Sequence, residues 1–152
     1  MKKLTYLLTA GVLLIILTTT GCKKDDGGGL SVEQEQLAAL TGTWAATAVS
    51  DGTTRTDYAD FTLTINSGMT YQTEGGPDLL PIPKGTDFEF GENVKSKLIL
   101  EPKGVALSYT YNISADGDVL TLNADQTYSG PGFENARTNS VSGQWSFTFS
   151  KQ

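Results

Sequence analysis

Carboxylates are the side chains in this chain with the most obvious capacity for chemistry. The 152 residues contain seventeen Asp and Glu and no histidine. Without histidine the usual general base, the Ser-His-Asp triad and the commonest transition-metal ligand are excluded. Two carboxylate pairs, Asp57 with Asp60 and Asp87 with Glu89, have the residue types that glycoside hydrolysis uses. Both are equally explained as solvent-facing acids, so we predict no catalysis.

A second group of acids surrounds Gly117. Asp116 and Asp118, together with Asn112 or Asp125, offer oxygen ligands of the kind that calcium prefers. Their spacing lacks the pattern of a calcium loop, and Asp-Gly is a favoured hairpin turn that explains them without an ion. We therefore predict no metal site and no cofactor.

The only cysteine, Cys22, lies directly behind an apolar N-terminal segment. Residues 4–17 are mainly apolar, follow two lysines and lead to the small residue Gly21, which is the layout of a secretory signal peptide. The apolar run is short of the ~20 residues that a bilayer-spanning helix needs. We predict a signal peptide over residues 1–21, which is cleaved to leave Cys22 at the start of the mature chain.

This arrangement resembles the signal of bacterial lipoproteins, with Thr19 in place of the usual Leu, Val or Ile. In such proteins the thiol of the first mature residue is linked to diacylglycerol, and the amino terminus receives a further acyl chain such as palmitate. Several chains at ~0.8 kcal/mol per buried methylene form an anchor that does not dissociate. The resemblance implies the membrane as a partner through the acylated Cys22. It leaves no thiol for a disulfide, a cysteine-ligated zinc site or a cysteine nucleophile.

The residues that follow Cys22 indicate a location. Lys23-Lys24-Asp25-Asp26 resembles the lysine-plus-acid signal with which Bacteroidetes export lipoproteins to the outer face of the outer membrane, and three glycines make residues 22–30 a flexible tether. Removal of residues 1–21 takes away two of eleven basic residues and no acidic ones, so the net charge moves from −6 to −8. A chain this acidic, without a dense Lys/Arg cluster, does not suit nucleic acid. We expect a surface-exposed outer-membrane lipoprotein.

Residues 31–152 are expected to form one domain. Ser31 and Gln34 have capping-box spacing, and apolar residues at helical spacing predict a short helix over residues 31–40. From residue 42 onward, apolar and polar residues alternate and turn residues recur about every ten positions. The predicted strands are 42–49, 58–66, 69–74, 88–90, 95–101, 105–113, 119–123 and 144–150.

Eight strands with one apolar face each, and no helices between them, exclude parallel crossover units. An antiparallel meander of this kind leaves two unpaired edge strands, and closing into a barrel is the simplest way to pair them. A two-sheet sandwich would show the same alternation of apolar and polar residues. We expect an all-β, eight-stranded antiparallel up-and-down barrel preceded by a short N-terminal helix, with the sandwich as the alternative.

Two long loops interrupt the strand pattern. Residues 75–85 carry Leu79, Leu80 and Ile82 between prolines, and could fold over one barrel end as a lid or present an apolar patch to a partner. The second loop spans residues 124–141, of which 128–139 are polar and rich in glycine.

The helix followed by Leu40-Thr41-Gly42-Thr43-Trp44 resembles the lipocalin opening, in which a Gly-x-Trp element begins the barrel and the tryptophan plugs its closed end. The segment at 143–149 is similar to the last strand of lipocalin-like lipoproteins of Bacteroidetes, and the resemblance covers residues 36–151. It implies that Trp44 is a structural cap. The chain departs from the lipocalin pattern in two ways. Thr56-Asp57-Tyr58 occurs far earlier in the chain than the lipocalin Thr-Asp-Tyr element. The lipocalin arginine that stacks on the tryptophan has only Arg137, in a loop, as its counterpart.

The predicted inward side chains leave two functions open. Those that could line a cavity for a small apolar ligand are Trp44, Phe61, Tyr71, Phe88, Tyr109, Tyr111, Trp145 and Phe147. The same rings suit a packed core, at roughly 1.5–3 kcal/mol per buried ring. We expect a membrane-anchored, non-catalytic lipocalin-like lipoprotein of the cell envelope that binds a small apolar ligand in its barrel. The alternative is a filled barrel that serves as a surface interaction module for an envelope protein partner.

Overall fold

The computed structural model describes residues 29–77, 81–101, 103, 106–126 and 143–152. Within them lie one α-helix, a short 3₁₀ helix at Thr56–Tyr58 and eight antiparallel strands of one sheet. The elements are α1 (Val32–Leu40), β1 (Gly42–Ser50), β2 (Thr62–Asn66), β3 (Thr70–Glu74), β4 (Phe88–Phe90), β5 (Lys97–Leu100), β6 (Leu107–Ile113), β7 (Val119–Gln126) and β8 (Gly143–Lys151). A search of these residues for a helix of membrane-spanning length and apolarity finds none.

The strands follow the order β3-β2-β1-β8-β7-β6-β5-β4, so the first strand pairs with the last. The two outer strands meet at a seam. There Tyr71 N donates to Thr86 O at 2.9 Å, and Phe88 N donates to Met69 O at 3.0 Å. The sheet is therefore a nearly closed barrel, which confirms the predicted all-β antiparallel barrel.

The strands of this barrel are strongly staggered. The stagger is measured by following the strand registers around the barrel. The path starts at Ala46, runs through β8, β7, β6, β5 and β4, crosses the seam, and returns through β3 and β2. It reaches β1 again about twelve residues before Ala46. A (β/α)₈ barrel with the same strand number has a stagger of only about eight. Because stagger, tilt and diameter are linked, this interior is the wider of the two and takes large side chains to fill.

Aromatic rings fill much of that interior. Trp145, Phe147 and Phe149 alternate along β8 and stack in a row, with centroids 5.8 and 6.0 Å apart. Tyr58 meets Phe61 edge-on at 5.5 Å and Phe147 at 5.8 Å. The predicted common face of the three β8 rings is therefore confirmed, and it packs into the core.

We call the end of the barrel that carries α1 and the β2–β3, β4–β5 and β6–β7 turns the helix end. Trp44 closes it. Its Nε1 donates to Leu40 O at 2.8 Å, and both residues are 0% exposed. Lys151 places Nζ 5.0 Å from the Trp44 ring and donates to Ala39 O at 3.2 Å. The cation on the tryptophan is thus a lysine from β8, while Arg137 lies outside the described residues.

Helix α1 begins as its sequence predicts. Ser31 Oγ accepts a hydrogen bond from Gln34 N at 3.2 Å, and Gln34 Oε1 accepts one from Ser31 N at 2.9 Å. This reciprocal pair is a capping box, which satisfies two otherwise unpaired donors of the first turn.

Most element boundaries agree with prediction to within one or two residues, and two differ by more. The second strand begins at Thr62 rather than at residue 58, because Tyr58 belongs to the 3₁₀ helix and turns its ring into the core at 1% exposure. The seventh strand continues past Asn123 to Gln126, because its last residues pair with the start of β8. Several predicted features lie outside the described residues: the signal peptide, Cys22, Leu79, Leu80 and most of the loop at 124–141.

Candidate functional site

The eight predicted lining residues all point into the barrel, where each is at most 4% exposed. Phe90, whose ring centroid lies 5.9 Å from that of Phe88 and 6.5 Å from that of Tyr111, joins the β4 and β6 rings. Together with the β8 stack, these contacts form one continuous core cluster. The set that was predicted to line a cavity therefore packs on itself.

Tyr111 connects this core to the helix end. Its hydroxyl lies within hydrogen-bond distance of the Val94 carbonyl and, at 3.0 Å, of the Gln36 side-chain amide. The Gln36 atom in contact is Oε1, so both neighbours are acceptors and the single phenol proton is donated to one of them at a time. Burial raises the pKa of Tyr111 to about 12.

Opposite the helix end is the loop end, where Arg55 forms the first closure. Its guanidinium binds Asp57 in bidentate fashion at 2.6 and 2.9 Å and Asp51 at 2.7 Å. Its central carbon lies 5.4 Å from the Tyr58 ring and 5.1 Å from the Trp145 ring. Hydrogen bonds from Arg55 hold the pKa of both carboxyls below the usual range, and the carboxylates raise the pKa of the guanidinium.

A second closure of the loop end comes from residues 81–85. Ile82 is 0% exposed, and Tyr109 Oη donates to Pro81 O at 2.5 Å. Gly85 then passes so close to the seam that a Cβ there would lie 2.5 Å from Tyr71 O. The described part of this loop folds over the barrel end, as the lid interpretation predicts.

Three of the four acids in the two candidate carboxylate pairs have partners within the fold. In the first pair, Asp57 binds Arg55, and Asp60 accepts a hydrogen bond from Gly76 N at 3.1 Å. In the second, Asp87 forms an ion pair with Lys103 at 2.9 Å.

The Asp116-Gly117 hairpin likewise uses its own acids. Asp116 accepts hydrogen bonds from the Ser114 hydroxyl and from Asp118 N, and the former holds the pKa of the Asp116 carboxyl below its usual range. Over the part of the chain that the structure describes, no three His, Cys, Asp or Glu side chains are grouped to hold a metal ion.

A cavity of about 550 Å³ lies against the outer side of the barrel wall, on strands β1, β8, β7, β6 and β5. Its lining consists of Ser50, Gly52, Lys97, Ser108, Tyr109, Thr110, Asn123, Ala124, Asp125, Gln144, Trp145 and Ser146. Tyr109 and Trp145 are 1% and 2% exposed because their side chains point into the core. Most of the residues that line the cavity have polar side chains, although the larger share of its accessible surface is apolar.

The polar residues of this cavity form two neighbouring rows across the strands. Register pairs join Ser50, Ser146, Asn123, Thr110 and Lys97 across β1, β8, β7, β6 and β5. In the second row Gln144 pairs with Asp125, and Ser108 lies two residues before Thr110 on β6. We call these eight side chains the polar groove. In the sequence these residues are ordinary outward positions of alternating strands, and the one signal for them is that five of the eight are Ser, Asn or Gln.

Two buried hydroxyls on β3 stand out in the interior. Among the described residues, Thr73 Oγ1 has no hydrogen-bond partner, and the Tyr71 hydroxyl has none of acceptable geometry. Burial, with a smaller effect of the Glu101 carboxylate, raises the pKa of the Tyr71 phenol, and the nearby Thr86 side chain offsets this only in part. Buried polar groups in proteins normally have a protein, water or ligand partner.

No protein-family model, curated protein or solved structure matches the chain. The resemblance to lipocalins therefore depends on the residues that carry it and on the barrel itself.

Proposed function

We propose that this protein is a lipid-anchored, non-catalytic, lipocalin-like binding protein of the outer membrane, with a filled barrel and a recognition surface on its outer wall. Acylation of Cys22 supplies the anchor and residues 22–30 the tether. The observation that carries the proposal is the packing of the eight candidate lining residues on one another, each at most 4% exposed.

The closed ends support the same proposal. Trp44 and Leu40 fill the helix end. Tyr58 beneath Arg55, together with Ile82, covers the loop end. A small molecule would have to displace these side chains to enter, whereas the polar groove is open from outside without any displacement.

A small apolar ligand inside the barrel is the second candidate. The Tyr71 and Thr73 hydroxyls favour it, because a ligand with a polar atom beside β3 would satisfy both. This candidate keeps the barrel as the binding element and gives the outer wall no role.

Native mass spectrometry of the full chain, purified from its own membranes in mild detergent, separates the two candidates. A filled barrel gives the mass of the acylated chain alone, before and after incubation with envelope lipid extract. An excess mass that is lost on denaturation would instead establish an interior ligand. The Tyr71→Phe variant is the matched control, because it lowers retention of a ligand beside β3 and leaves a ligand on the outer wall in place.

A further inference from the structure

We propose that the polar groove binds a neutral, polyhydroxylated ligand, namely a chain of neutral sugar units. This inference rests on the proposed function, since it names the ligand class of the outer-wall surface. It begins from the charge of the groove. Lys97 and Asp125 are the only ionised side chains of the groove, and they balance each other, in a chain whose net charge is −6. A ligand with a net charge would find no excess of the opposite sign there.

The remaining six side chains of the groove are neutral and each can both donate and accept hydrogen bonds. They are Ser50, Ser108, Thr110, Asn123, Gln144 and Ser146. A sugar hydroxyl is also both donor and acceptor, so successive hydroxyls can be satisfied without a fixed donor pattern. An apolar ligand would leave these groups without partners when it displaced their water.

The backbone of β6, β7 and β8 limits the choice further. Each of these strands is paired on both sides, so its main-chain donors and acceptors are used within the sheet. An extended peptide needs a free strand edge to add to. Recognition in the groove is therefore by side chains alone, which suits a ligand that carries its own hydroxyls.

The spacing of the groove fits a chain of units. Neighbouring side chains within a row lie about 4.8 Å apart and the two rows about 6.7 Å apart, from strand spacing and rise. The volume of about 550 Å³ falls within the ~300–1,000 Å³ of small-molecule sites. Several hydroxyls of one chain can therefore be bound at once.

Isothermal titration of the full chain in detergent tests the proposal, with neutral glucose, mannose and galactose hexasaccharides as probes and a galacturonate hexamer as the charged counterpart. At least one neutral probe should bind saturably, and the galacturonate at least tenfold more weakly. Asn123→Ala and Gln144→Ala should each weaken binding of that probe about tenfold. Asn112→Ala and Gln72→Ala, exposed positions of the same sheet outside the groove, should change it less than twofold.

Three results would overturn this ligand class: no saturable binding of any neutral probe, equal loss in groove and control variants, or tighter binding of the galacturonate. Thermal unfolding of each variant must match that of the parent chain, so that weaker binding reports the groove. An apolar mass retained in native mass spectrometry overturns the proposed function itself. A bare mass without saccharide binding overturns only the ligand class.

Discussion

At the scale of single residues, Trp44 has the largest structural role at the helix end. Its ring is fully buried, its Nε1 donates to Leu40 O, and Lys151 lies over its face. We expect Trp44→Ala to lower the free energy of unfolding by about 3–5 kcal/mol through the cavity that it leaves. Urea denaturation of the two chains measures this difference.

Two milder variants separate the contributions to this cap. Trp44→Phe keeps an aromatic ring and removes the Nε1 donor, so the carbonyl of Leu40 loses a bond that is worth about 1 kcal/mol. Lys151→Met keeps the apolar stem and removes the cation, at a cost of about 0.5–2 kcal/mol. A loss below about 1 kcal/mol in Trp44→Ala would contradict both the cap and the lipocalin alignment.

Tyr111 makes a prediction for alkaline solution. Burial raises its pKa to about 12, whereas an unfolded tyrosine ionises near pH 10. Between these values the unfolded state binds fewer protons than the folded state, so the free energy of unfolding decreases as pH rises. The contribution is complete below about pH 10 and lost through about pH 12.

Tyr111→Phe tests this assignment by urea denaturation at a series of alkaline pH values. The variant should show a shallower decrease in the free energy of unfolding with pH than the parent chain. The pKa of the Tyr71 phenol is also raised, so both chains retain part of the decrease in the free energy of unfolding with pH. Identical slopes would mean that Tyr111 ionises as freely in the folded state as in the unfolded one.

The role of Trp44 could be predicted from a three-residue motif, but the identity of its cation could not. Lys151 follows an ordinary alternating strand, and only the register of β8 against β1 brings its long side chain over the ring. Arg55 was missed for the same reason. Its stacking on Trp145 joins residues ninety positions apart, and no local pattern encodes such a contact.

At the scale of elements, the seam between β3 and β4 is the least reinforced part of the sheet. The two strands share only the bridge between Thr70 and Asp87 and a few backbone hydrogen bonds. Gly85 lies beside this seam with φ +35°, where a Cβ would meet Tyr71 O at 2.5 Å and Gln72 Cα at 2.8 Å. The seam therefore depends on the lack of a side chain at Gly85.

Gly85→Ala should open or strain this seam. Gly117→Ala is the matched control, because Gly117 also has a positive φ, +81°, but nothing within 4 Å of the added Cβ. Both variants lose about 1–2 kcal/mol to backbone strain, and Gly85→Ala should lose about 1–3 kcal/mol more from the clash. Equal losses in urea denaturation, with unchanged amide exchange along β3 and β4, would show that the seam tolerates a side chain.

Alternation along the strands predicted all eight strands, but it suits a two-sheet sandwich as well as a barrel. The pairing of β1 with β8 and the hydrogen bonds between β3 and the start of β4 decide for the barrel, and both join residues far apart in sequence. The ends of the strands were harder to predict from the sequence. Asp125 is a poor strand former, and it extends β7 together with Gln126 because the start of β8 offers them partners. Tyr58 is a residue type that strands favour, but it is out of phase with Phe61 and Leu63. Its ring closes the loop end, and the backbone there turns as a 3₁₀ helix.

At the scale of the whole molecule, the two ends of the barrel have different positions relative to the proposed anchor. The predicted tether joins the domain at α1, whose residues Leu40 and Gln36 contact the helix end. The polar groove runs across the outer wall, from Ser50, Asp125 and Gln144 at the loop end to Lys97 at the start of β5. An acylated Cys22 would thus hold the helix end towards the bilayer and leave the Ser50 end of the groove farther from it.

This arrangement depends on acylation, which makes the last prediction one about Cys22. In Cys22→Ala cells, we expect no incorporation of labelled palmitate and a loss of the protein from the membrane fraction, because the anchor consists of acyl chains at ~0.8 kcal/mol per buried methylene. Metabolic labelling and flotation of membranes measure both effects.

Asp25→Asn with Asp26→Asn is the matched control. It should keep the label and the membrane association and reduce only the access of an external protease on intact cells. A Cys22→Ala chain that still floats with the membranes would mean that residues 4–17 hold the protein there, so that the domain is tethered by a retained apolar segment and the acyl anchor is wrong.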